Sequence, residues 1–298
     1  MDYSFLTEYL DECGIEYEIN VKTSSLASIR VGGTASIVVY PNTIEDLCKI
    51  MKIVHNKHKY YLIGNGTNIY FCEYFDGIII LTNHLTKIET SNNMLIAECG
   101  ASLTGCAVYA YEDGLSGLEF GYGIPGSVGG GIYMNASAYG YAISDVVHEC
   151  LVYDVENSNT YIVSKEDMMF GNKSSIFMQK KLIILSATFE LCNNDKNAIK
   201  SKMDSYMQKR ALSQPLDLPS AGSAFKRPME GYASKLIDDA GLKGYCIGDA
   251  QISEKHAGFI VNKGCASAKN ITDLINYVKR IIKSKYCVDL EEEIIYVE

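Results

Sequence analysis

Gly121-Tyr122-Gly123-Ile124-Pro125-Gly126-Ser127-Val128-Gly129-Gly130-Gly131, running on into Ile132-Tyr133-Met134-Asn135-Ala136-Ser137-Ala138-Tyr139-Gly140, is the stretch that decides the fold. It is dense in glycine yet lies between apolar segments, where a flexible linker would be serine-rich and solvated. Close passage of the main chain past a large flat ligand is the better account. A second stretch, Leu62-Ile63-Gly64-Asn65-Gly66-Thr67-Asn68-Ile69, leaves a predicted strand through two glycines. Such a turn lets N–H groups face outward as an anion nest, and Asn65, Thr67 and Asn68 add short donors. Alone it reads more readily as a polar turn. It is not the dinucleotide fingerprint, because Gly-x-Gly-x-x-Gly is absent and no helix follows. Two such loops in one chain point to a long ligand with a diphosphate in its middle.

Around these loops the pattern alternates between strands and helices. Thr34 to Tyr40 is β-branched and reads as a strand. Thr43 caps a helix with Ile44, Leu47, Met51 and Val54 on one face. Short strands are expected at Tyr60 to Ile63, Gly77 to Leu81 and Met94 to Glu98, and a helix from Ser102 to Asp113 that stops at Gly114. Strands return at 147–155, 160–163 and 182–190, then a charged helix at 195–211. Three of the five prolines, Pro215, Pro219 and Pro228, crowd the loop that follows, and this change of composition marks a domain boundary. Beyond it come a helix near 232–240, a strand at 257–262, a helix at 270–285 and a last strand at 290–297. The order is that of an α/β or α+β chain.

With 298 residues the chain has room for two or more domains, and 47% hydrophobic with 21% charged residues describes an ordinary globular protein. The formal charge of -9 disfavours nucleic acid or an acidic membrane as partner, though not a local anion site. The 10 cysteines include no Cys-x-x-Cys pair, so no metal site is expected and the thiols read as small hydrophobes. The N-terminus lacks the basic start and apolar run of a signal peptide, and no apolar run is long enough to span a membrane. A cytoplasmic protein is therefore expected.

Three later segments carry candidate chemistry. In Pro219-Ser220-Ala221-Gly222-Ser223-Ala224-Phe225-Lys226-Arg227-Pro228, Ser223 lacks the elbow context of a nucleophile. Lys226 and Arg227 offer cations to an anionic substrate, or form a solvated basic pair. In Lys255-His256-Ala257-Gly258-Phe259-Ile260-Val261-Asn262, His256 has no second ligand at metal spacing and is expected to be structural. The tail Glu291-Glu292-Glu293 reads as a solvated edge, with Glu291 and Glu293 on one face and Glu292 on the other.

Taken together, GLEFGYGIPGSVGG, MNASAYG, PSAGSAFKRP and KHAGFIVN, in that order, closely resemble the UDP-N-acetylenolpyruvoylglucosamine reductases, also called UDP-N-acetylmuramate dehydrogenases. The likeness runs from about Ser28 to Glu293. The direct passage from MNASAYG to the next strand resembles the short-loop type of that family. The resemblance implies an α+β, two-lobed FAD-binding fold of the vanillyl-alcohol-oxidase type plus a C-terminal α+β substrate domain. The lobes would be 1–85 and 86–205, the substrate domain 206–287, and residues 288–298 would return to the second lobe. FAD would be held by Gly64, Asn65, Gly66, Thr67 and Asn68, and by Gly123, Ile124, Pro125, Gly126, Ser127, Gly129 and Gly130, largely through main-chain amides.

The implied reaction belongs to peptidoglycan precursor synthesis. NADPH reduces the flavin, and the flavin then reduces the enolpyruvyl ether of UDP-N-acetylenolpyruvoylglucosamine to UDP-N-acetylmuramate. Ser223 matches the proton donor, and Glu293 the carboxyl group that polarises the substrate carboxylate. Lys226, Arg227 and Asn262 fall in the motifs expected to contact substrate. The family's catalytic arginine is matched by Lys173 in Phe170-Gly171-Asn172-Lys173-Ser174-Ser175, and Ser213 stands where a lysine is common. Lysine keeps the charge but loses the two-pronged contact. A non-catalytic or substrate-shifted flavin-binding paralogue is the alternative these departures suggest. The protein is expected to act as a monomer.

Overall fold

A computed structural model describes residues 3–229 and 231–298. By contacts it divides into two compact units, one of Met1–Ile19, Ile37–Asn65 and Gly77–Lys209, the other of Asn20–Ser36, Gly66–Asp76 and Arg210–Glu298.

In the first unit, Tyr60–Ile63 lies parallel to the end of Tyr74–Leu81 in a sheet ordered Glu16–Lys22, Thr34–Tyr40, Tyr74–Leu81, Tyr60–Ile63. The helix Ile44–Val54 starts where the sequence places it, because Thr43 and Asp46 form a reciprocal capping box. Its Leu47, Ile50, Met51 and Val54 are fully buried with Ile37, Val39, Ile78 and Ile80 of the sheet. A second sheet of five antiparallel strands has the order Asn159–Ser164, Val147–Asp154, Leu182–Glu190, Met94–Glu98, Ile88–Ser91. The helix Leu103–Glu112, capped by Ser102, buries Leu103, Cys106, Ala107 and Ala110. Gly114, at φ +71°, ends the helical run as expected.

In the second unit, Ser220–Ser223, Phe259–Asn262, Ala250–Ile252 and Cys246–Ile247 form an antiparallel sheet in that order. The helix Ala268–Tyr286 buries Ile271, Leu274, Ile275, Val278 and Ile282 at spacings of three and four. The last strand, Ile295–Val297, pairs in parallel with Ile69–Phe71. The sequence reading instead returned it to 86–205. Residues 69–71 follow the first glycine loop, and Tyr70 stacks on Tyr296 at 4.9 Å to reinforce the pairing.

Candidate active site

In the first unit the two glycine loops touch. Asn65 Nδ2 donates to the Pro125 carbonyl at 2.9 Å. A Cβ added at Gly64 would run into Ser127 Oγ, so only glycine permits the approach. The second loop is laced to the start of the helix Leu103–Glu112. Leu103 N–H donates to Gly126 O, Val128 N–H to Ala101 O and Gly129 N–H to Cys99 O, at 2.8–3.0 Å. Gly123 N–H donates to Thr104 Oγ1 at 3.0 Å. The triple glycine, read as loop, is part of a short helix, Val128–Tyr133, whose cap Ser127 accepts from Gly130 N–H.

These glycines divide by what they meet. A Cβ at Gly129 would press on Cys99 at 3.1 Å, and one at Gly131 would sit 2.8 Å from Leu103, so both are dictated by packing against the protein. Gly130 is exposed and its Cβ would meet only its own cap. The main-chain N–H groups of Asn65, Gly126 and Ser127 in this unit donate to no protein acceptor among the described residues. That donor set fits an anionic diphosphate passing over the loops. Thr67 is half-buried, while Asn68 is turned elsewhere: its amide donates to the Glu293 carbonyl at 2.7 Å.

Glu119, in the phrase that opens the second loop, is 3% exposed. Burial pushes its carboxyl up, but hydrogen bonds from Ser116 and from the backbone, including Gly117 N–H, outweigh that and leave it below the usual carboxylate range. Lys202 lies 3.7 Å away. Sequence reading passed over Glu119, although a lone acid in an otherwise apolar run was the available signal.

Lys173 occupies a tight turn closed by Gly171 N–H to Ser174 O at 3.0 Å, with φ +53°. The turn is tied to the segment after the short helix. Asn135 Nδ2 donates to Gly171 O at 3.1 Å, Asn135 Oδ1 accepts from Ser144 N–H, and Ser175 Oγ donates to Tyr133 O at 2.7 Å. Asn135 is buried, and sequence reading had quoted it without a role.

In the second unit, Ser223 and Glu293 lie on neighbouring extended segments. Ser223 pairs with Phe259, and Ala224 N–H donates to Gly258 O at 2.8 Å. On the other side, Glu293 N–H donates to Ala224 O and Lys226 N–H to Glu291 O, each at 2.9 Å, around a bridge between Phe225 and Glu292. Within the proline-rich loop of the sequence reading, Ser220–Ser223 is thus an edge strand of its sheet, and the residues just after it are bridged to 291–293. Both side chains are half-buried, whereas Glu291 and Glu292 are exposed and paired with Lys226 and Lys279.

The expected substrate contacts fare differently. Lys226 Nζ reaches Glu291 at 3.3 Å, and the Arg227 guanidinium lies 4.1 Å from the Tyr232 ring centre. Asn262 requires correction. It is 2% exposed and its amide is fully committed to protein, donating to Ile29 O and Arg30 O and accepting from Gly264 and Ala266 N–H. No hydrogen-bonding capacity remains for a substrate. His256 is structural: its Nδ1 accepts from Gly258 N–H at 3.1 Å, and burial foremost, with Lys243, pushes its pKa below the ordinary value.

Residues 214–297 match the C-terminal domain of UDP-N-acetylenolpyruvoylglucosamine reductase, and residues 35–160 match an FAD binding domain. The UDP-N-acetylenolpyruvoylglucosamine reductase of Clostridium novyi is 43% identical, over 94% of this chain and 91% of that one. The chain belongs to the UDP-N-acetylenolpyruvoylglucosamine reductase family. The Petrotoga mobilis reductase is 42% identical over 97% of this chain and 96% of its own. Among solved structures, the Thermus caldophilus reductase superposes with a TM-score of 0.81 at 29% identity, covering 95% of this chain and 99% of that one. Glucooligosaccharide oxidase from Acremonium strictum, at 10% identity and a TM-score of 0.51, covers 96% of this chain and 60% of its own, and shares the fold alone. The chain therefore has the α+β fold of the Thermus caldophilus reductase, with an FAD binding domain over residues 35–160.

Proposed function

We propose that this chain catalyses the NADPH-dependent, FAD-mediated reduction of UDP-N-acetylenolpyruvoylglucosamine to UDP-N-acetylmuramate, a step of peptidoglycan precursor synthesis. Family membership over nearly the whole chain supports the activity. The observation in the structure that carries it is the ladder that sets Ser223 and Glu293 on adjoining segments. Bound FAD supplies the chemistry of accepting hydride from NADPH and passing it to the enolpyruvyl carbon C3.

The chain's own groups do the rest. The N–H groups of Asn65, Gly126 and Ser127, which meet no protein acceptor among the described residues, would hold the diphosphate. Ser223 Oγ gives its proton to C2 of the substrate, where negative charge develops. A hydroxyl is a weak acid in water but serves a strongly basic carbon when it is well placed. Glu293 is assigned to the substrate carboxylate, where it can assist only if protonated or bridged by a cation, since two bare carboxylates repel. Lys173, matched to the family's arginine by the resemblance, is assigned to supply positive charge for the substrate carboxylate. Arg227 and Lys226 attract the anionic substrate, Lys226 less strongly because Glu291 shares its charge. Residues 206–287 are assigned as the substrate-binding part.

The protein is proposed to act in the cytoplasm as a monomer. Among the described residues no helix is long and apolar enough to cross a membrane, and the exposed large hydrophobics, Phe5, Tyr74, Ile162 and Leu212 among them, are scattered along the chain.

Anaerobic addition of NADPH should bleach the flavin band, and the enolpyruvyl UDP-sugar should restore it. Ser223→Ala should leave the bleaching nearly intact and stall the recovery. A band that NADPH bleaches but the sugar never restores in the unmodified protein ends the proposal.

A further inference from the structure

Asn68 belongs to the first glycine loop, yet its hydrogen bonds reach the C-terminal segment. Its Nδ2 donates to the Glu293 carbonyl at 2.7 Å, and its own carbonyl accepts from Ile295 N–H at 2.9 Å. The chain is thus gripped on both sides of Ile294. From the other direction, Glu293 N–H donates to Ala224 O at 2.9 Å. Both main-chain polar groups of Glu293 are therefore committed, one to the residue after Ser223 and one to Asn68. The neighbouring acids are steadied at their side chains, Glu291 by Lys226 and Glu292 by Lys279. The recorded bond to the Glu293 carbonyl comes from the Asn68 amide.

We propose that Asn68 is a positioning residue for Glu293, so that the loop assigned to the cofactor diphosphate also sets where this carboxyl stands. The proposal rests on the role given to Glu293 above. It revises the expectation that the Asn68 side chain is a cofactor contact. Asn65 Nδ2, by contrast, is spent on Pro125, so the two asparagines of one loop hold different partners.

Asn68→Asp keeps the shape of the side chain but turns an acceptor toward the Glu293 carbonyl. A displacement of about 1 Å at a reacting group costs on the order of 10²-fold in rate. Reoxidation of the reduced enzyme by the enolpyruvyl UDP-sugar should therefore slow about that much, and reduction by NADPH far less. Hydrogen exchange should quicken in the 291–297 segment and stay unchanged elsewhere. In a Glu293→Gln background, Asn68→Asp should add little further slowing. Equal slowing of both half-reactions, unaltered exchange at 291–297, or fully multiplicative effects in the double variant would each overturn the proposal. If Asn68→Asp does not fold, Asn68→Ala is measured in the same way. Loss of FAD from both variants also overturns it, because that makes Asn68 a cofactor contact. A Glu293→Gln enzyme with normal reoxidation refutes instead the role of Glu293, whereas a slow Glu293→Gln beside a normal Asn68→Asp refutes only the positioning.

Discussion

Glu293 and Lys173, the two groups proposed to act on the substrate carboxylate, are held in contrasting ways. Glu293 lies in a ladder: its N–H and C=O are both bonded, and the segment beside it, Ser223 to Lys226, is paired on two sides. Lys173 lies in a turn at φ +53°, a conformation that costs a non-glycine residue on the order of 1 kcal/mol. The turn is closed by its own Gly171–Ser174 main-chain bond and tied to its surroundings by side chains, Asn135 at Gly171 and Ser175 at Tyr133. A ladder shares its load over several main-chain bonds and tolerates substitution of side chains. A turn held by side chains can be re-aimed by changing one of them.

The largest expected effect comes from emptying the turn. Lys173→Ala should slow the second half-reaction by about 10²-fold or more, as loss of a charge aimed at a developing anion does. Lys173→Arg should raise it, because the planar fork grips a carboxylate at two points. Pre-steady-state reoxidation kinetics decide the matter, and an arginine variant no faster than the parent would show that the turn does not deliver this group to the substrate.

A smaller effect is expected from loosening the turn with its lysine intact. Asn135→Ala removes the donor to Gly171 O and the acceptor for Ser144 N–H, and a buried group left unpaired costs about 1–3 kcal/mol. Reoxidation should slow by roughly 10-fold or more through misplacement of Lys173, while NADPH reduction of the flavin holds. Thermal unfolding and the two half-reactions measured side by side separate these effects. Lost stability with unchanged reoxidation would reduce Asn135 to a packing residue.

What the sequence disclosed follows the same division. Elements specified locally were legible: the Thr43 cap, the stop at Gly114, and the buried face of Ile44–Val54 each depend on residues a few positions apart. The ladder was not legible, because the prolines and glycines of 215–228 disguise a strand whose partners are Phe259 and the 291–293 segment. Asn262 misled for a related reason. It stands in a family motif, but its amide is taken by Ile29, 233 positions away. The glycine loops were correctly picked out as special, yet for mixed causes. Gly64, Gly129 and Gly131 answer to neighbouring segments, whereas a Cβ at Gly130 would meet only its own helix cap, Ser127. Composition cannot distinguish a glycine demanded by packing from one left clear for a ligand.

The smallest effect concerns acid. His256 Nδ1 accepts from Gly258 N–H, and Gly258 O in turn accepts from Ala224 N–H, the rung beside Ser223. Protonation of Nδ1 would turn that acceptor into a donor facing a donor. Burial, with help from Lys243, already lowers the pKa of this histidine, so the folded protein favours the neutral ring and the unfolded chain takes up a proton first. The contribution to stability is therefore complete above the ordinary histidine pKa of about 6.5. It declines as pH falls from there through the folded-state value. Hydrogen exchange should quicken at 258–262 and 223–226 as pH is lowered across this range, after correction for the intrinsic rate, and the 171–175 turn should not follow. His256→Gln, which titrates nowhere near this range, should abolish the pH dependence. If the turn loosens in parallel with the ladder, or the dependence persists in the glutamine variant, then His256 is not the group that links proton uptake to the rung beside Ser223.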